Sequence, residues 1–223
     1  FDVDFEREQT LEAGGKHDLL AMIRNIVPAG VSCVYIRQGV PLGLGHAVLC
    51  ARPAVGDEPF FVHLADDLIY SEVPCLEQMR RHFEAHHCSV LGVETVPADQ
   101  TANYGIVAVE QKPHGVQRVT RIVEKPKPEA APSNLAVVGR YILTPAIFDK
   151  LERTERGASG EIQLTDGIAA LLGSESVHVL QFAGTRYDCG SKIGYLRATV
   201  EYALRHPDLG ENFRAYLQSV WER

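Results

Sequence analysis

The chain has 223 residues, 45% hydrophobic and 23% charged, with 19 Gly and 12 Pro, enough for one large domain or two small ones around a continuous core. Its 22 Lys plus Arg against 29 Asp plus Glu give a net charge of −7; without a basic block, binding to nucleic acid through phosphate neutralisation is not expected. No apolar run approaches the roughly 20 residues of a bilayer span, no signal-peptide pattern opens the chain, and five scattered cysteines (Cys33, Cys50, Cys75, Cys88, Cys189) form no CxxC pair, so they read as reduced thiols of a cytoplasmic protein.

Phe1-Asp2-Val3-Asp4-Phe5, without Met, reads as the middle of a longer polypeptide. Residues 6–26 carry Leu11, Leu19, Leu20, Met22, Ile23 and Ile26 at mostly helical spacing, with Gly14-Gly15 as a break. Ser32 to Arg37 is a short β-prone run. The loop Gln38 to Gly45 follows, too rich in Gly and Pro to be regular, and feeds a helix from His46 to about Ala51. Phe60 to Leu64 has strand length and runs into Asp66-Asp67. Glu77 to His87 reads as helix and Cys88 to Thr95 as a further apolar strand. Strands alternating with helices in this way predict a largely parallel sheet covered on both faces.

From Tyr104 the pattern changes. Gly105–Glu110 and Arg118–Glu124 alternate apolar and polar residues around Lys112-Pro113-His114-Gly115, which predicts an antiparallel hairpin. Leu135 to Leu143 is another strand. Glu161 to Leu172 places Ile162, Leu164, Ile168, Leu171 and Leu172 on one helical face, with Ser159 as the candidate cap. Ser176–Phe182 reads as the last strand, before helices over about 191–205 and 208–220. With no internal repeat or flexible linker, the prediction is a single α/β unit, residues 1–223, with a mixed sheet.

Ligands of open α/β sheets bind beyond the carboxyl ends of strands. Asp66, Glu124 and Asp188 occupy such positions, and converging carboxylates suit Mg²⁺, a hard cation that also takes substrate phosphates. The alternative is three solvated loop carboxylates. In the Gln38–Gly45 loop, glycines permit close backbone approach and a Gln amide both donates and accepts at a base edge; an ordinary strand-to-helix turn fits the same residues. Glu124-Lys125 before Pro126 pairs an acceptor for sugar hydroxyls with a cation for phosphate, or is a surface ion pair. His82, His86, His87 and Cys88 have metal-ligand composition. His82 and His86 share a helix face at i, i+4, but with Arg80 and Arg81 beside them and no other ligand at metal spacing they read as a solvated face. No Gly-x-Ser-x-Gly elbow is present and no cysteine is marked as a nucleophile.

Taken together in order, Arg37 to Ala51, Gly56-Asp57-Glu58-Pro59, Leu64-Ala65-Asp66-Asp67, Tyr104-Gly105-Ile106-Val107, Val123-Glu124-Lys125-Pro126, Ala131 to Tyr141, Gly160 to Asp166 and Tyr187 to Lys192 closely resemble bacterial UTP–glucose-1-phosphate uridylyltransferases (UDP-glucose pyrophosphorylases). The resemblance runs over essentially the whole chain. It implies a Rossmann-like nucleotidyltransferase fold, with a mixed, mainly parallel central sheet between helices and a small antiparallel element. It also implies formation of UDP-glucose and pyrophosphate from UTP and glucose 1-phosphate with Mg²⁺. By the same resemblance, Gln38 and the Gly43 backbone read uracil, and Asp66 and Asp188 bind the metal. Backbone groups of Gly105 and Val137, and the Glu124 carboxylate, hold glucose; Lys125 neutralises the sugar phosphate and Lys192 assists with phosphates. Asp66 and Lys125 are the catalytic candidates. A cytoplasmic homodimer or homotetramer without nucleic-acid or membrane partners is implied as well.

Two departures stand out. The family's Gly-rich loop with Thr-Arg and its following Pro-Lys-Glu segment do not occur in this chain, which joins the family pattern only around Phe1 to Leu20; part of the UTP grip is therefore expected to lie outside it. Ala65 stands where the family has Pro. A thymidylyltransferase-like enzyme, or a non-catalytic paralogue that binds sugar nucleotide, is the alternative reading.

Overall fold

The computed structural model describes residues 3–157 and 160–222, in two compact units divided after Arg37. In the first, the Asp4 side chain accepts from the backbone N–H of Arg7 at 3.0 Å and starts α1 (Phe5–Ala13). Gly15, at φ 66°, turns the chain into α2 (His17–Arg24), so the predicted break falls at Gly14-Gly15. Leu20 is buried, and Arg24 Nε donates to Glu8 Oε2 at 2.8 Å across the two helices. Ser32–Arg37, predicted as a strand, forms none. Its β-branched and aromatic side chains suit a pleated surface, but a strand exists only where a neighbour completes the ladder.

The second unit begins at Gln38. In chain order it contains α3 (Leu44–Cys50), α4 (Arg52–Val55), β1 (Phe60–His63), β2 (Asp67–Tyr70), α5 (Cys75–His86), β3 (Ser89–Thr95), β4 (Gly105–Gln111), β5 (Gln117–Glu124) and β6 (Leu135–Leu143). Then follow α6 (Ala146–Arg153), α7 (Leu164–Leu171), β7 (Val177–Gln181), β8 (Thr185–Asp188), α8 (Lys192–Arg205) and α9 (Gly210–Trp221). The helix predicted from Glu161 starts at Leu164; Ser159, its candidate cap, lies outside the described residues.

The main sheet has the order β1-β6-β3-β7-β5-β4. β1, β3, β4 and β7 run in one direction, with β5 and β6 against them, so the sheet is mixed and mainly parallel in direction. Direct pairing is another matter. Only β3 and β7 pair in parallel among the described residues, because β6 inserts antiparallel between β1 and β3 and the β4–β5 hairpin joins at the far edge. β4 and β5 form the antiparallel hairpin that the alternation predicted, with Gly105 opposite Glu124 in register. Ser176–Phe182 is not the last strand: β8 follows it and pairs with β2 in a separate antiparallel ribbon, Asp67 opposite Asp188.

Side chains of β6 alternate strictly. Val137, Tyr141 and Leu143 join Leu91, Val93, Phe148, Leu151, Ile168 and Leu171 in the core under α6 and α7. Val138 and Ile142 join Met79, Val90 and Phe182 under α5. Helices therefore cover both faces, and burial of the largest of these side chains contributes on the order of 2 kcal/mol each. The His82 face of α5, predicted to be solvated, meets His178 of β7, with His82 Nε2 and His178 Nδ1 3.2 Å apart. No helix among the described residues is long and apolar enough to cross a membrane.

Candidate active site

The β2–β8 ribbon builds one half of the site. Because Asp67 and Asp188 are register partners, the residue before one and the residue after the other also meet: the Cys189 N–H donates to the Asp66 carbonyl at 2.7 Å. A Cβ added at Gly190 would stand 3.1 Å from Asp66 Oδ2 and 3.1 Å from Asp188 Oδ1. Residues 122 positions apart in sequence thus aim two carboxylates at one cradle that glycine leaves open. Asp188 also accepts from the Gly190 N–H at 3.0 Å. Such an all-oxygen pair on a short ribbon fits a hard divalent cation.

Behind Asp66, its neighbour Asp67 points the other way, inward. The Asp67 carboxylate accepts from the Gly139 N–H at 2.9 Å and pairs with Arg186, whose side chain is only 4% exposed and also meets Glu94 at 2.6 Å. Arg140, buried, donates to the carbonyls of Leu64, Gly139 and Asp67. Burial works against the Arg186 charge, yet Asp67 and Glu94 together hold its pKa above the ordinary value. This network fixes the ribbon to β6, and so fixes where Asp66 and Asp188 point. Sequence reasoning missed Asp67, Arg140 and Arg186, since a four-residue strand such as Thr185–Asp188 carries too little periodicity to announce its partner.

The second half is a cavity of about 170 Å³ whose lining includes Gly105, Glu124, Val137, Tyr104, Gln163 and Thr165. The three residues singled out for sugar recognition are therefore brought together. Glu124 Oε2 accepts from Thr165 Oγ1, which orients the carboxylate, and Oε1 lies 3.6 Å from Lys125 Nζ. A Cβ at Gly105 would come within 3.2 Å of Thr165 Cγ2 and 3.5 Å of Glu124 Oε2, so glycine keeps this wall open. Lys125 has φ 42°, a left-handed conformation that costs a side-chain-bearing residue on the order of 1 kcal/mol; its N–H donates to the Tyr104 carbonyl at 3.0 Å. Asn103 and Tyr104 line this cavity and also the hollow that contains Asp188 and Arg186, with the Arg186 guanidinium 5.1 Å from the Tyr104 ring centre. The Glu124 cavity thus shares a wall with the hollow beside Asp188.

Gln38 and Gly43 meet directly. Gln38 Nε2 donates to the Gly43 carbonyl at 3.1 Å and lies 2.8 Å from His46 Nδ1, which leaves Oε1 without a hydrogen bond among the described residues. Gly43 has φ 96°, and a Cβ there would lie 2.8 Å from Glu161 Cβ and 2.9 Å from the Ile162 carbonyl oxygen. The loop is pinned at both ends, by Ile162 N–H to the Leu42 carbonyl at 2.7 Å and Gly45 N–H to the Ile162 carbonyl at 2.9 Å. Gly43→Ala is therefore expected to cost about 1–3 kcal/mol in denaturant unfolding. Gly39→Ala, in open space, should stay within about 0.5 kcal/mol. Equal costs at both positions would refute the close approach at Gly43. Lys192 is exposed at the first turn of α8, where the Ser191 side chain accepts from the Gly194 N–H at 3.0 Å.

Residues 8–204 match the family described as Nucleotidyl transferase. The chain is similar to a UTP–glucose-1-phosphate uridylyltransferase from Staphylococcus epidermidis, 41% identical over 220 residues, which cover 99% of this chain and 76% of the relative. Among solved structures it is similar to a UDP-glucose pyrophosphorylase from Acinetobacter baumannii, at 44% identity and TM-score 0.88 over 99% of this chain and 77% of that one. A UTP-bound structure of the enzyme from that organism aligns at the same identity and TM-score, covering 98% and 76%.

Proposed function

Because the chain belongs to the nucleotidyl transferase family, among its UTP–glucose-1-phosphate uridylyltransferases, we infer that it transfers the uridylyl group of UTP to glucose 1-phosphate, forming UDP-glucose and pyrophosphate. We read both units as parts of one nucleotidyltransferase domain, since the family match runs through 8–204. The observation that carries the functional reading is the wall of Asn103 and Tyr104 that the Glu124 cavity shares with the hollow lined by Asp188 and Arg186, where Asp188 meets Asp66 across Gly190. It supports reading the carboxylate side as a site for charged phosphates and the Glu124 cavity beside it as a site for a polyol.

In the reaction an oxygen of the sugar phosphate bonds to the α-phosphorus, and the bond to the bridging oxygen breaks with its electron pair leaving on pyrophosphate. The attacking oxygen is already anionic at neutral pH, so no strong general base is needed; positioning and charge stabilisation do the work. Asp66 and Asp188 would hold Mg²⁺, which when bound neutralises phosphate charge. Glu124, oriented by Thr165, accepts hydrogen bonds from glucose hydroxyls, beside backbone groups of Gly105 and Val137. Lys125 meets the sugar phosphate as a point charge, with Lys192 as a second cation. Exposed Ile193, Tyr195 and Leu196 on α8, with Tyr216 and Trp221 on α9, support assembly as a homodimer or homotetramer, which we place in the cytoplasm.

Base choice follows from Gln38. With its amide nitrogen held by Gly43 and His46, the free Oε1 presents an acceptor to the base, which suits the N3–H of uracil and repels the bare N3 of cytosine. Pyrophosphate release with glucose 1-phosphate is therefore expected to favour UTP over CTP in kcat/KM by on the order of 10³, with the ratio narrowed in Gln38→Ala. Comparable use of CTP would sink the assignment of Gln38, and preference for TTP over UTP would move the chain to the thymidylyl alternative.

A further inference from the structure

On the sheet face opposite α7, three imidazoles converge with no part in the chemistry above. β7 turns Val177 and Val179 into the core under α7, so by strand alternation His178 points to the α5 side. There it meets His82 and His86, which lie one turn apart on α5. One nitrogen from each ring can be chosen so that all three lie within 4.8 Å of one another, and the ring centres are 4.5, 5.4 and 5.2 Å apart.

We propose that His82, His86 and His178 form a binding site for a borderline transition-metal cation of the Zn²⁺ class, clipping α5 to β7. Two nitrogens bound at 2.0–2.1 Å to one tetrahedral ion lie about 3.3 Å apart, and His82 Nε2 and His178 Nδ1 already stand 3.2 Å apart. The remaining nitrogen of His178 faces Ser176 Oγ at 3.4 Å. A hydrogen bond from Nε2–H to that hydroxyl selects the tautomer whose Nδ1 lone pair is free for the ion, the arrangement that outer partners of metal-bound imidazoles supply. Arg118, the register partner of His178 on β5, is paired with Glu110 at 3.3 Å, which offsets its charge. His82 is half-buried and His86 exposed, so the ion has an entry path and a fourth position open to water. Imidazole donors favour Zn²⁺, Cu²⁺ or Ni²⁺ over the hard cations that the Asp66/Asp188 pair suits, so the two sites are chemically distinct.

The test titrates Zn²⁺ against a chromophoric chelator of micromolar affinity, with excess Mg²⁺ present to occupy the carboxylate pair. One Zn²⁺ per chain is expected to compete with the indicator in the wild type and in Asp66→Ala. Because His86 is exposed, His86→Ala should fold normally by circular dichroism yet lose the competition. Ser176→Ala should weaken it by about 10-fold. Failure of the wild type to compete, or equal competition by His86→Ala, would overturn the site.

Discussion

Asp66→Ala is expected to cut uridylyl transfer by a factor of about 10³ or more: on its proposed role as a metal ligand, its removal forfeits several kcal/mol of charge stabilisation, and each 1.36 kcal/mol is tenfold in rate. The fold should be indifferent. Asp66 is exposed, its carboxylate makes no hydrogen bond or ion pair with the described residues, and what it gives the structure is its backbone carbonyl, bonded to the Cys189 N–H at 2.7 Å, which alanine retains. Steady-state pyrophosphate release and a thermal melt on the same sample separate the two effects. Turnover near wild type would remove Asp66 from the site, while a large drop in Tm would mean that its role is structural.

Asp67→Ala should instead lower stability. One position along, the carboxylate is buried, and its loss strands the Arg186 guanidinium, itself 4% exposed, and the Gly139 N–H, bonded at 2.9 Å. Breaking a buried pair by removing one partner costs about 3–5 kcal/mol, which in a chain of this size lowers Tm by on the order of 10 °C. Asp67→Asn keeps an acceptor for Gly139 and should fall between the two. Equal melting of Asp67→Ala and wild type would show that the Arg186–Glu94 pair suffices without Asp67. Measured side by side, Asp66 and Asp67 test whether adjacent carboxylates divide chemistry and framework between them, as their opposite burial implies.

The proposed zinc site shows how one strand changes the meaning of a helix. His82 and His86 on one face of α5 are ambiguous in sequence, because two imidazoles one turn apart serve equally well in water. The third ligand, 96 positions after His82 on β7, is supplied by sheet order. The same holds for Asp66 and Asp188, which look like two isolated loop acids until the β2–β8 ribbon sets their neighbours in register.

What can be read along the chain is whatever repeats locally. The apolar run of β6, the alternation of β4 and β5 around Pro113, the 3.6-residue spacing of α7, and the break at Gly14-Gly15 are each specified by neighbours in sequence, through side-chain period and backbone freedom. The ordered motifs from Gln38 to Lys192 likewise carry the family, and with it the candidate residues. Tertiary structure decided the rest. Antiparallel insertion of β6 between β1 and β3, the absence of a strand over Ser32–Arg37, the existence of β8 and the inward turn of Asp67 toward Arg186 all depend on partners remote in the chain. Their pairing energies arise only when strands meet, so no local pattern records them. The candidate site is therefore legible as a set of residues, and its geometry as a consequence of the ladder that joins them.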